Sequence, residues 1–209
     1  MTPSTEEPKT TTTGQIDKAV GLYRAMLEKH AKEFNLEPVQ IVLGQPELAA
    51  EQLAVFRRRV EAISNLIVRR VTVVDRHCAG QAMLDATKRK QYTDKDVVAG
   101  MPRGVGNEEV EVVFFKPDLT GRDGYINDED LEKEFELRGL KPADPYSVGA
   151  VNETDPAFAD EHPHATHWKD GNGKWCYATF GLWGGERKAG VRRSGGEWGD
   201  DWWFAGLRK

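Results

Sequence analysis

Apolar residues recur at three and four positions through the first part of the chain and at every second position near its end. That change of period divides it into a helical part and a sheet-forming part. In 15–36, Ile16, Ala19 and Val20, Tyr23, Met26 and Leu27, His30 and Phe34 mark one face of a helix. Val39–Leu43 predicts one or two further turns, ended by Gly44. The longest periodic run is 47–74, where Leu53, Phe56, Val60, Ile63 and Ile67 follow the a/d spacing of a packed helix. Its β-branched end, Val71–Val74, is a place for the chain to leave the helix. A shorter helix is predicted over 76–89, and another starts with Thr93 as N-cap and Asp96 at N3.

Gly100, Gly104, Gly106 and Pro102 then read as a linker. Glu109–Lys116 is apolar on both faces, the pattern of a buried strand. Helices follow over 128–138 and 143–151, with a turn over 155–161; Asp128 is the residue expected to cap the first. From His167 the period is two. Trp175, Tyr177 and Thr179 face one way and Cys176, Ala178, Phe180 and Leu182 the other, and two hairpins predict a four-strand antiparallel meander.

The expected fold class is therefore α+β. Residues 1–14, rich in Thr, Pro, Ser and Glu, form a disordered tail; 15–104 a helical domain; 105–209 an α+β domain with an antiparallel-rich sheet ending in a Trp-rich meander.

Charge adds a block structure that the net value of −5 hides. Residues 1–104 carry 16 basic and 13 acidic side chains, 105–165 carry 5 and 16, and 166–209 carry 8 and 5. The acidic middle argues against a general nucleic-acid coat while leaving room for a local basic site. No apolar run approaches the roughly 20 residues of a membrane span. Met1–Gly14 lacks the blocks of a signal peptide, and two cysteines in different predicted units suit a reducing compartment, so the expected location is cytoplasmic.

Chemical motifs are sparse. Asp123-Gly124-Tyr125-Ile126 fits part of a calcium loop, but Leu119, Gly121 and Asp130 would fill positions one, three and twelve. No phosphate-binding glycine loop and no nucleophile signature occurs, and no cofactor is implied. His162, His164 and His167, beside Asp160 and Glu161, are the candidate metal ligands, and they support a small metal-assisted hydrolase as an alternative function. The stronger signal is the mixture of aromatic and basic side chains near the end. Trp175 and Tyr177, with Arg187, Lys188, Arg192 and Arg193, are the candidate ligand-binding residues. They favour a non-catalytic binding or interaction protein, with a single-stranded nucleic-acid binder as a further alternative. The partner expected is a protein or a small ligand; nucleic acid is less favoured and a membrane is not expected. Homo-oligomerisation through the a/d seam stands as an alternative to packing within the chain.

The stretches Pro142-Ala143-Asp144-Pro145-Tyr146-Ser147, Asp155-Pro156-Ala157-Phe158-Ala159-Asp160, Thr166-His167-Trp168-Lys169-Asp170 and Trp202-Trp203-Phe204-Ala205-Gly206 carry a resemblance. The chain resembles a group of uncharacterised proteins that recur in ultra-small candidate-phylum bacteria. That resemblance implies a bacterial, cytoplasmic setting and no particular chemistry.

Overall fold

The computed structural model describes residues 11–71, 73–105 and 109–209. It is an α+β structure with eight α-helices and an eight-stranded mixed sheet among those residues. The predicted disordered tail falls mostly on residues outside the described range. Its last residues are ordered: Thr12 caps α1 (Thr13–Lys29) in a capping box with Gln15.

The chain divides into two units, one running to Val55 and the other from Phe56 to Lys209. This boundary lies far from the predicted one near Gly104. The first unit holds α1, α2 (Leu36–Leu43) and the first half of α3 (Leu48–Ser64), whose remaining residues belong to the second. α3 ends sooner than the a/d pattern implies, because Ile67–Val71 leaves as strand β1 and pairs antiparallel with β3 (Val110–Phe115). Ile67 and Val71 thus serve a period-two surface although their spacing also suits a helix. β2 (Lys90–Thr93) joins the other sheet edge, and α4 (Gly80–Ala86) and α5 (Lys95–Ala99) pack beside it. Thr93 is therefore a strand residue, and Asp94 takes the N-cap position. Residues 67–104 belong to the sheet unit because their apolar side chains find buried partners only there.

In the second half, α6 (Asp128–Leu137), β4 (Leu140–Pro142), α7 (Pro145–Thr154) and α8 (Phe158–Glu161) precede β5 (His164–Lys169), β6 (Trp175–Trp183), β7 (Glu186–Arg193) and β8 (Trp203–Arg208). The sheet order is β1-β3-β8-β5-β6-β7-β2, with β4 also pairing β8. β5, β6 and β7 form the predicted meander. β8 does not continue it: it crosses back to run parallel to β5 and antiparallel to β3. Central β3 and β8 are buried on both faces, which explains the apolar run of 110–115.

One sheet face packs Val112, Phe114, Ala178, Phe180 and Val191 against α4, α5, α7 and α8. The other packs Val113, Phe115, Ala165 and Phe204 against Leu131 and Phe135 of α6. α6 covers only the β3-β8-β5 part of this second face. Among the described residues no helix lies over its β6-β7-β2 part, and that asymmetry leaves this part of the face open. No helix among the described residues is long and apolar enough to cross a membrane.

Candidate functional site

Strand alternation sends Tyr177, Thr179, Gly181 and Trp183 of β6 to the uncovered face. The register of β7 sets Arg192 opposite Tyr177, Gly190 opposite Thr179 and Lys188 opposite Gly181. β2 adds Tyr92 beside Gly190. The residues between β7 and β8 return over this face and bring Trp198 and Trp202. The result is a cleft of about 360 Å³ with Thr179 and Gly190 in its lining. Trp183, Trp198 and Trp202 stand around it, joined by Tyr92 and Tyr177. Lys188, Arg192 and one carboxylate, Glu197, border it.

Two glycines give the cleft its depth. A Cβ on Gly190 would stand 2.6 Å from Thr179 Oγ1, and one on Gly181 would stand 2.6 Å from the Trp183 ring. Trp183 can lie over the strand only because position 181 has no side chain. The walls support one another. Trp198 meets Trp202 edge-on at 5.7 Å and Tyr177 at 5.4 Å, and Trp183 lies 5.5 Å from Trp202. Lys188 Nζ is 5.7 Å above the Tyr92 ring. The Arg192 guanidinium is exposed and makes no hydrogen bond or ion pair among the described residues. Burial pushes the Tyr177 phenol above its ordinary pKa, with Arg192 opposing, so it is a neutral ring with a donor.

A buried carboxylate fixes one wall from behind. Asp128, 1 % exposed, accepts from Trp198 Nε1 (2.9 Å) and His167 Nδ1 (2.9 Å) on Oδ1, and from Ser194 Oγ (2.7 Å) on Oδ2. Trp198 and Ser194 both line the cleft. His167 is buried with its ring stacked on Trp175 at 4.6 Å, and Phe135 lies 5.7 Å away in a stacked arrangement. Its Nε2 lies 2.7 Å from Glu132 Oε1, close enough for an ion pair but without hydrogen-bond alignment. Burial alone would lower the His167 pKa, but Asp128 and Glu132 outweigh it and the ring ends above its ordinary value. Burial likewise opposes ionisation of Asp128, yet the hydrogen bonds from His167, Ser194 and Trp198 hold it below the usual carboxylate range. Asp128 is therefore not the cap of α6: Asn127 accepts from Asp130 N and does that work.

Of the six predicted ligand-binding residues, Tyr177, Lys188 and Arg192 converge on the cleft. Trp175 shares their strand face but is used elsewhere. It stacks on His167, donates Nε1–H to Glu129 Oε1 (2.9 Å) and lies 4.5 Å under Lys169 Nζ. Arg187 and Arg193 alternate to the opposite face. Arg187 grips Asp160 through two nitrogens, and Arg193 pairs with Asp96 at 2.6 Å.

The three histidines do not meet. His164 and His167 are three residues apart on β5, so they point through opposite faces. His164 is buried against Phe114 and Phe158; its Nδ1 contacts His162 O and its Nε2 contacts Asn152 Nδ2, both at 2.8 Å. Burial drives its pKa down to about 3. The ring is thus neutral, with the proton on Nδ1. His162 stacks on Phe158. No group of three His, Cys, Asp or Glu residues placed to hold a metal ion occurs among the described residues. Asp130, from the calcium-loop comparison, is occupied by Lys133 and Arg122, which hold its pKa down to about 2.

Sequence reasoning missed Tyr92, Trp183, Trp198, Trp202 and Asp128 as parts of one site. The period-two pattern of β6 contained Trp183. The others join through a parallel pairing and a returning loop that leave no local signal. No family profile, curated protein or solved structure matches this chain.

Proposed function

We propose that this chain is a non-catalytic binding protein whose ligand lies in the aromatic cleft over β6, β7 and β2. The carrying observation is the cleft itself: three tryptophans and two tyrosines surround a small-residue floor, with two cations on one strand. Lys188 and Arg192 are four residues apart on an extended strand, roughly 13 Å along its axis. A ligand with a flat face would stack on the indoles, and an anionic group would meet Arg192, a cation with no ion pair among the described residues. The Asp128 hub is consistent with binding rather than catalysis. Ser194 donates to the carboxylate and not to His167, so no nucleophile–base pair is formed there.

Single-stranded nucleic acid is a specific version of this reading, since each base offers a stackable face and each phosphate an anion for the strand cations. Base–aromatic stacking contributes about 1–3 kcal/mol per base. A cytoplasmic setting is part of the proposal, and two free thiols, one of them in the core, are in keeping with it.

Tryptophan fluorescence titration tests the reading. An oligothymidylate, a nucleoside monophosphate and a neutral oligosaccharide are the probes. Saturable quenching by at least one probe, weakened about tenfold by Trp202→Ala, supports the cleft. Binding unaffected by Trp202→Ala and Arg192→Glu would contradict it. A response that falls with salt for the oligonucleotide alone selects the nucleic-acid version.

A further inference from the structure

His167 has one nitrogen that the site over β6, β7 and β2 does not use. Asp128 fixes its Nδ1 at 2.9 Å, and Trp175 and Phe135 pack its ring at 4.6 and 5.7 Å, so the orientation of the imidazole is set. Its Nε2 is buried and forms no hydrogen bond. Leaving a buried donor in that state is destabilising. Glu132 Oε1 stands 2.7 Å away but out of line for such a bond. The Glu132 side chain is 40 % exposed and makes no hydrogen bond among the described residues, so its carboxylate can swing aside.

His167 and Glu132 both line a second cleft, of about 360 Å³, which shares no lining residue with the first. Strand pairing creates it. β5 runs parallel to β8 and is bonded to it only at His164 and Ala165; from Gly206 onward β4 takes that side of β8. The cleft opens where β5 parts from β4 and β8, with His167 and Lys169 on one side and Lys141 and Leu207 on the other. Crevices beyond the carboxyl ends of parallel strands are recurrent ligand sites in open sheets.

The lining charges favour an anion. Lys141 and Lys169 form no ion pair among the described residues, and Lys169 Nζ lies 4.5 Å from the centre of the Trp175 ring. Asp144 also lines the cleft, but Arg76 and Ser147 engage its carboxylate. Glu132 is then one carboxylate set against two lysines and His167. Burial opposes the charge on His167, yet Asp128 and Glu132 outweigh it and hold the pKa above its ordinary value. Trp168, Trp175 and Leu207 add apolar surface, as small-molecule sites require.

We propose that this second cleft binds a small carboxylic acid with a flat apolar body. The Glu132 carboxylate marks the place: as it swings out, the carboxylate of the ligand accepts from His167 Nε2. Lys141 and Lys169 meet the remaining charge, and the flat body lies against Trp168 and Trp175.

The test is ¹⁹F NMR of the full chain, labelled with fluorotryptophan and titrated with benzoate at pH 6. Trp168 and Trp175 should shift saturably while Trp183 and Trp202 stay in place, and the two unmoved resonances report that each variant is folded. Benzamide, of the same shape without the charge, should bind about tenfold more weakly. Glu132→Gln removes the competing charge and should tighten benzoate several-fold, whereas Lys169→Glu should loosen it several-fold. The proposal is overturned by no saturable shift, by shifts at Trp183 or Trp202 in their place, or by benzamide binding as tightly as benzoate. An affinity that Glu132→Gln does not raise, or that Lys169→Glu does not lower, overturns it equally.

Discussion

Replacing Asp128 by asparagine is the sharpest perturbation of the site, because one carboxylate holds three donors. Asp128 and His167 are both about 1 % exposed. The amide oxygen, standing where Oδ1 stood, can still accept from both Trp198 Nε1 and His167 Nδ1, so what is lost is the negative charge beside the buried imidazole. Its NH₂ group is turned toward Ser194 Oγ. Removing one partner of a buried charge pair costs about 3–5 kcal/mol, and retention of an acceptor places asparagine near the lower end, about 3 kcal/mol. For a unit of this size that lowers Tm by roughly 6–12 °C.

The pH profile carries the diagnostic sign. The folded pKa of His167 is raised, so its contribution is fully present below the unfolded value and is lost as pH rises through the folded pKa. The folded pKa of Asp128 is depressed, so its contribution is present above the unfolded value and is lost as pH falls through the folded pKa. The pair therefore stabilises most between about pH 4 and 6.5. In Asp128→Asn, burial acts on His167 with only Glu132 opposing it, the His167 pKa falls, and the stability difference from wild type is largest in that window and shrinks above it. Urea unfolding followed by tryptophan emission at pH 5, 6.5 and 8 measures this. A loss below about 1 kcal/mol, or one independent of pH, would refute the reasoning.

Other consequences follow from the same geometry. His164 has a folded pKa depressed to about 3, so its contribution is present above pH ~6.5 and is lost as pH falls. His164→Phe should flatten the acid side of the stability curve by up to one proton, while leaving Asn152 Nδ2 without that acceptor. Gly181→Val sets a branched side chain against the Trp183 ring and should cost about 1–3 kcal/mol, with altered tryptophan emission in the folded state. Arg192→Glu should weaken an anionic ligand about tenfold, whereas Arg187→Glu, on the other face and gripped by Asp160, should leave binding unchanged; isothermal titration distinguishes the two.

Much of the architecture was legible because periodicity is local. β3, α6, α7 and the three-strand meander follow from apolar spacing and turn residues within a dozen positions. What was not legible depends on pairing at a distance. β1 and β2 lie within a chain segment that reads as helical, and only their partners β3 and β7 make them strands. Gly100–Gly104 looked like a domain linker because glycine marks any sharp change of direction. The same limit applies to the site. Period-two reasoning put Tyr177 and Thr179 on one face of β6, where they lie, and would have separated Arg187 from Lys188 and His164 from His167 had it been applied to those pairs, since odd spacing on a strand means opposite faces. Asp128 gave no signal of its own. An aspartate at a helix start reads as a cap, and its three donors come from positions 39, 66 and 70 residues away.

The central claim concerns the cleft, and ¹⁹F NMR of the chain labelled with fluorotryptophan addresses it most directly. The six indoles sort by position: Trp183, Trp198 and Trp202 line the cleft, while Trp168, Trp175 and Trp203 do not. Titration with oligothymidylate, nucleoside monophosphates and a neutral oligosaccharide should move the first three resonances together and leave Trp168 and Trp203 in place. Shifts confined to Trp168, Trp175 or Trp203, or no shift with any of the three probes, would contradict the assignment of this cleft as the binding site.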